Sequence, residues 1–212
     1  MLHACACFCK VIHFFTNFSE PLPRFDHYLV SVNHQSFMFG GHIEKHTENS
    51  HLLVNSIEIF DQNTKKWKRK LTTGDPPKAL YEGACCVSPS GDLYFYGGNE
   101  LLLNDGNYSS AYHGELHKLN SKMLKWNQVL CESSPDDPMK KIGCQMICFA
   151  QTKLALFGGC GRPHGAVQIG SLLERVIDTG WTNELHTLDT EDGKICYGLL
   201  LNSQFSIASL AC

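Results

Sequence analysis

The sequence predicts an all-β chain built from about three copies of one four-stranded antiparallel unit. Three observations carry that expectation. An apolar run ends in paired glycines three times, in "SFMFGG" closing at Gly41, "LYFYGG" at Gly98 and "LALFGG" at Gly159. A second apolar segment and a tight polar turn precede each run. Two further alternating segments around a polar turn follow each glycine pair. The recurrence comes roughly every 60 residues, the size of a supersecondary repeat rather than of a domain.

The first half of each unit reads as a hairpin. "HYLVSVN", "GACCVS" and "CQMICFA" supply the opening strands, and "HQ", "PSGD" and "QTK" the turns. The second half is another strand pair. "NSIEIFDQNTKKWKRKL" (Asn55 to Leu71) and "HGELHKLNSKMLKWNQVL" (His113 to Leu130) alternate apolar and polar residues around turns holding Asp61 and Asn120. Each places a tryptophan, Trp67 or Trp126, early in its last strand. "NELHTLDTEDGKICYGLL" begins the same way, with Asp189 in the turn, but Ile195 stands where the tryptophan should be.

Four antiparallel strands repeated in this manner are propeller blades. The glycines then have a physical role. Sheets fanned around a hub converge, so Gly40, Gly41, Gly97, Gly98, Gly158 and Gly159 fall where room for a side chain runs out. Trp67 and Trp126 fill the wider space between outermost strands. The expected organisation is an unassigned N-terminal segment (1–20), blades at 21–76, 77–138 and 139–200, and a non-repeat tail (201–212). The third blade is degenerate at its end. A closed propeller needs about four blades or more. The expectation is therefore a fragment of a six-bladed propeller, with assembly of two or more copies as the alternative.

Composition narrows the function. The chain has 43% hydrophobic and 18% charged residues and a formal net charge of −3. That is an ordinary globular balance, too near neutral to point to nucleic acid or an anionic membrane. The basic run "KKWKRK" (Lys65 to Lys70) reads as a solvated strand face interrupted by one packed tryptophan. No apolar run approaches the ~20 residues that cross a bilayer. Lys10 interrupts the apolar N-terminus, which lacks a basic leader, so a cytoplasmic or nuclear location is expected. The 11 cysteines are odd in number and sit in strand-like positions, as reduced buried side chains do. "HACACFC" lines up His3, Cys5, Cys7 and Cys9, but no second ligand pair at zinc spacing accompanies them.

Four hydrophobic residues, Gly-Gly, a following strand, an acidic or amide turn residue and a spaced tryptophan together resemble the kelch repeat, over about residues 21–198. "PRFDHYLVSV" (Pro23 to Val32) resembles its opening, in which Arg and His precede the first strand. The implied fold is a partial kelch β-propeller. Within that family the chain resembles the kelch-domain-containing substrate receptors of cullin ubiquitin ligases, which capture protein C-termini. "TTGDPP" (Thr72 to Pro77) and "GWTNELHTLDTE" (Gly180 to Glu191) carry this likeness. It implies that Trp181 and Lys141 help line a ligand pocket. Cys160 departs from the pattern by standing where those receptors have an aromatic residue.

In each blade the connection from the second to the third strand lies on one face. These inserts are Gly41 to Val54, Asn99 to Tyr112 and Cys160 to Thr182. Long inserts on a rigid repeat scaffold are where binding concentrates. His42, His46 and His51 in the first read as a solvated polar loop rather than a metal site. The second exposes Leu101 to Leu103 and Tyr108. The third offers Arg162, His164, Arg175 and Trp181. Arg with Trp is the composition of an interface anchor, and a guanidinium takes a carboxylate bidentately. The expected function is protein or peptide binding, including a protein C-terminus, with cullin ligase components as further partners. No catalytic residue, cofactor or metal is expected. Two alternatives stay open: a relative of the galactose-oxidase-like copper enzymes, and a kelch fragment without independent activity.

Overall fold

The computed structural model describes residues 20–45, 50–53, 57–104, 107–130, 140–161, 185–191 and 195–198. Among them every regular element is a strand. β1 (Tyr28–Val32) and β2 (Gln35–Phe39) pair across Asn33 and His34, both at positive φ as a two-residue hairpin turn requires. β3 (His42–Lys45) and β4 (Ser50–Leu53) form a separate hairpin, and β5 (Ile57–Asp61) and β6 (Lys66–Lys70) complete the first sheet in the order β1-β2-β5-β6. The second blade contains β7 (Thr73–Gly74), β8 (Ala84–Val87), β9 (Asp92–Asn104), β10 (Asn107–Asn120) and β11 (Lys125–Val129), ordered β7-β11-β10-β9-β8. In the third, β12 (Lys141–Ile142) and β15 (Cys160–Gly161) pair with each other. β13 (Gln145–Cys148), β14 (Lys153–Phe157), β16 (Leu185–Asp189) and β17 (Ile195–Gly198) run in the order β13-β14-β16-β17. The architecture is thus all-β, three four-stranded blades of a partial propeller, the second with the short β7 added in parallel beside β11.

The repeat is exact in register. Trp67 pairs with Phe60, Trp126 with Leu119, and Ile195 with Leu188, so isoleucine occupies the tryptophan's place in the third blade. The turn between the last two strands is built alike each time. Asp61 Oδ1 accepts from the Asn63 and Thr64 amides, Asn120 Oδ1 from Lys122 and Met123, and Asp189 Oδ1 from Glu191. These side chains fold the turn by replacing backbone partners.

Two of the inserts are strands where loops were expected. The first is the β3–β4 hairpin. In the second, β9 and β10 run straight through the glycine pair, with Leu103 opposite Tyr108. A register shift between His113 and Leu116 lets the extended arm and the blade share one strand pair.

The core lies between blades. Tyr28, Phe37, Phe39, Ile57 and Ile59 of the first blade pack on Leu80, Leu93, Phe95, Leu119 and Trp126 of the second. Ala84, Cys86, Tyr94, Tyr96 and Leu116 of the second pack on Cys144, Met146, Leu154, Leu156 and Leu188 of the third. β9 is therefore buried on both faces, which explains its unbroken apolar run. Trp126 lies against Phe39 (5.2 Å) and Phe95 (5.0 Å). Trp67 lies on Phe60 at 5.1 Å, within an otherwise exposed basic strand.

Both residues of every glycine pair have positive φ, from 63 to 111°. A Cβ at Gly40 would run into the Leu80 carbonyl oxygen, and one at Gly97 would sit 2.5 Å from that of Lys141. Leu80 and Lys141 hold the same position in successive blades, so each sheet is pinched against the next at the same point. Two residues further on, Asp26, Glu82 and Gly143 share a left-handed turn (φ 53, 60 and 63°). The Glu82 amide donates to the Asp26 carbonyl (2.9 Å), and the Gly143 amide to that of Glu82 (2.7 Å). This backbone ladder steps from blade to blade around the hub.

Candidate functional site

The residue after each glycine pair bridges back to the residue before the hub turn. Phe25 pairs with His42, Tyr81 with Asn99, and Ile142 with Cys160. These six residues lie at the strand ends from which the inserts leave the blades, an edge termed here the hub mouth. The His42 ring lies 4.7 Å from Phe25 and 5.4 Å from Tyr81, and it is buried. This corrects the expectation of a solvated histidine loop at this residue: rings on two sides exclude water from the imidazole. His46 and the side chain of His51 lie outside the described residues. Asn99 Nδ2 donates to the Tyr81 hydroxyl (2.7 Å) and to Ser110 Oγ (3.2 Å), which locks the base of the arm to the hub.

Charged groups ring this mouth. Glu100 Oε2 receives Lys78 Nζ at 3.0 Å and lies 2.9 Å from His113 Nε2. Partial burial opposes ionisation of Glu100. Its bonds to Lys78 and His113 outweigh that and hold its carboxyl below the usual range. Glu82 behaves oppositely. Burial and then the nearby Asp26 raise its carboxyl above the ordinary 4.5. Burial, followed by the Glu82 charge, also raises the Cys160 thiol. Among the described residues, no group of three or more His, Cys, Asp or Glu side chains is gathered as a metal ion would need.

Lys141 does not face the open mouth. Its side chain is fully buried, with Nζ 3.3 Å from His186 Nε2. The repeat explains why. Lys141 and His186 stand where Arg24 and Glu58 stand in the first blade. There Arg24 Nη1 donates to the Gly40 carbonyl (3.2 Å) while Nη2 lies 3.8 Å from Glu58 Oε1. Position 141 is thus an internal position beside the hub. Tyr108 sits near the tip of the arm, opposite Leu103; its side chain, and all of Arg162, His164, Arg175 and Trp181, lie outside the described residues.

Sequence reasoning passed over the Phe25–His42–Tyr81 rings and the Lys78–Glu100–His113 group. The readable signal was positional: comparing the residues immediately after each glycine pair would have singled out His42, Asn99 and Cys160.

The model of the KLHDC2/KLHL20/DRC7 Kelch-repeats domain family matches residues 26–197. The human Kelch domain-containing protein 2 is 26% identical over 181 residues, covering 81% of this chain and 43% of the relative. Kelch domain-containing protein 1 of Mus musculus is 25% identical over 175 residues, covering 79% of this chain and 41% of the relative. This chain therefore spans less than half the length of these relatives. A solved structure titled "Structure of YjhT" superposes with a TM-score of 0.60 at 15% identity, over 86% of this chain and 54% of that one, a likeness of fold.

Proposed function

Because the chain belongs to the KLHDC2/KLHL20/DRC7 kelch-repeats family, we propose that it is a protein-binding module that takes a peptide segment across the hub mouth and the β9–β10 arm. The observation that carries this reading is the exposed Phe25 ring packed against His42, which meets Tyr81 of the next blade, where the Lys78–Glu100 ion pair lies close by in the chain. An apolar platform rimmed by charges of both signs suits a peptide better than a small metabolite. The reading includes Arg162, His164, Arg175 and Trp181 of the third insert and Tyr108 of the second as contributors to binding, from their composition and their place in the repeat. The finer reading is that these cations take the free carboxylate of a protein C-terminus and that the module selects substrates for a cullin-type ubiquitin ligase. Bidentate guanidinium binding supports it.

The test is a screen of the purified chain against immobilised human C-terminal peptides. Each hit is then measured by fluorescence anisotropy as free acid and as amide. The expected result is binding lost on Phe25→Ala, with amides at least ~10-fold weaker through loss of a charge-assisted pair. Equal affinity for acid and amide would remove the C-terminus while leaving peptide binding. Binding indifferent to Phe25→Ala would remove the hub mouth.

A further inference from the structure

The β9–β10 arm meets the second blade at His113. The register of the pair shifts between His113 and Leu116, so Gly114 and Glu115 form a bulge at this point. The imidazole has a carboxylate on either side. Nε2 lies 2.9 Å from Glu100 Oε2 on the arm, and Nδ1 lies 3.2 Å from Glu115 Oε2 in the bulge. An ionised carboxylate only accepts hydrogen bonds, and a neutral imidazole carries only one N–H. The neutral ring can therefore serve one carboxylate and must turn a lone pair on the other. The imidazolium donates to both. The side chain is 12% exposed, so little water can replace a lost bond. Burial opposes ionisation of Glu115, but the Glu115 and Gly114 amides and the His113 charge outweigh it. Its carboxyl, like that of Glu100, therefore stays below the usual range.

We propose that His113 is a pH-sensitive clamp at the root of the arm: its imidazolium bridges Glu100 and Glu115 and fixes the arm on the blade, and loss of the ring proton frees one side of the bridge. The other charged and titratable groups around the ring do not share this role. Lys78, ahead of β8, holds Glu100 at 3.0 Å whatever the state of the ring. Lys140 lies against the bulge, its Cα 3.3 Å from where a Cβ on Gly114 would stand. Lys141 on β12 is buried beside His186. His117, further along β10, meets the charges of Glu115 and Asp75, but burial pushes its pKa down. Tyr81, beside Tyr112 at the base of the arm, stays neutral because burial pushes its hydroxyl up. Among the described residues, His113 is the histidine with a carboxylate at each ring nitrogen. The Asn99 amide, which does not titrate, still ties Tyr81 to Ser110, so the arm loosens without coming away. Histidine changes charge between about pH 5 and 8, which sets the window of the response. Protonation of Glu100 and Glu115 opens the same bridge from the acid side.

Nuclear magnetic resonance on the full chain tests this. The ring nitrogens of His113 are followed by their nitrogen-15 shifts, and amide hydrogen exchange is measured along Glu100–Asn104 and Asn107–Tyr112, corrected for base catalysis. The expected result is a ring with both N–H groups at about pH 5.5, and arm protection that falls ~3–5-fold as the ring titrates, the scale of one part-exposed charged bond. Protection in β14, remote from the clamp, should not change. His113→Gln should abolish the step while leaving the circular dichroism spectrum intact. Glu115→Gln should also abolish it and keep the arm protected at high pH, because a carboxamide N–H can donate to the neutral ring. His117→Gln should leave the step in place. Arm protection that stays flat through the ring titration would overturn the proposal. So would a step that survives His113→Gln or Glu115→Gln, or one that vanishes in His117→Gln. None of these outcomes depends on peptide binding at the hub.

Discussion

Truncating Trp126 measures how much the first junction contributes. The side chain is 1% exposed and lies between Phe39 across the junction and Phe95 on its own sheet. A tryptophan buries on the order of 200 Å². At about 25 cal/mol per Å² that is ~5 kcal/mol, and truncations of large aromatics in cores cost ~3–5 kcal/mol. Trp126→Ala should therefore destabilise the chain by about 4 kcal/mol. Little of the gap can refill, because β7 pins the tryptophan backbone: the Thr73 amide bonds the Leu124 carbonyl (3.0 Å), and a Cβ on Gly74 would strike the Trp126 carbonyl. Leu130→Ala is the control, since Leu130 follows the same strand and is largely exposed, and it should move stability by no more than ~0.5 kcal/mol. Urea unfolding followed by far-ultraviolet circular dichroism gives both values. If the first blade unfolds separately once the junction is weakened, the transition of Trp126→Ala should also broaden, because repeats are coupled only through neighbours. A loss under ~2 kcal/mol, or equal losses for both variants, would refute the view that blades are held by these interfaces.

Other expectations follow from the hub. The Tyr28 hydroxyl donates to the Gly97 carbonyl across the junction at 2.8 Å, so Tyr28→Phe should cost ~1–2 kcal/mol in urea unfolding by stranding a buried acceptor. Gly97→Ala should cost at least ~2 kcal/mol, from its left-handed φ and the approach to the Lys141 carbonyl. Gly91→Ala, with φ 87° but its nearest neighbour 3.5 Å away, should cost only the conformational part, and equal values would discount the pinch between blades. Glu82 has a folded pKa above 4.5, so its ionisation works against the fold. Its penalty is absent below the unfolded pKa and grows as pH rises through the folded one. Glu82→Gln should stabilise the chain at pH 7 and leave it unchanged near pH 3.5. Urea midpoints at the two pH values check this, and an equal gain at both would contradict the assignment.

What could be read from the sequence was what repeats as residue type. The paired glycines, the Asp61, Asn120 and Asp189 turns, and the substitution of Ile195 for tryptophan all came from local chemistry that any copy must satisfy. The strand character of the first two inserts was hidden because their alternation is weak and polar. In "NELLLN" against "NYSSAY", the partners of Leu102 and Leu101 are Ser109 and Ser110, so neither face carries a continuous apolar stripe. His42 misled for a related reason. Its burial comes from Phe25 and Tyr81, which lie before and well after it in the chain and meet it only through the hub.

The hub turn shows how far residue type and structural role can separate. Asp26, Glu82 and Gly143 make the same backbone ladder with or without a side chain, because the bond uses only amide and carbonyl. The neighbouring position holds Arg24, Leu80 and Lys141, and the facing position on the third strand holds Glu58, His117 and His186. In the first blade this is an ion pair and in the third a buried Lys–His contact, while the second has a leucine at one position and, at the other, a histidine whose pKa burial pushes down. Backbone spacing is fixed by the glycines and the ladder, so the space beside them tolerates side-chain pairs of different chemistry. A lysine at that position is therefore accounted for by the fold before any ligand is considered. The proposed recognition of a peptide thus does not need Lys141.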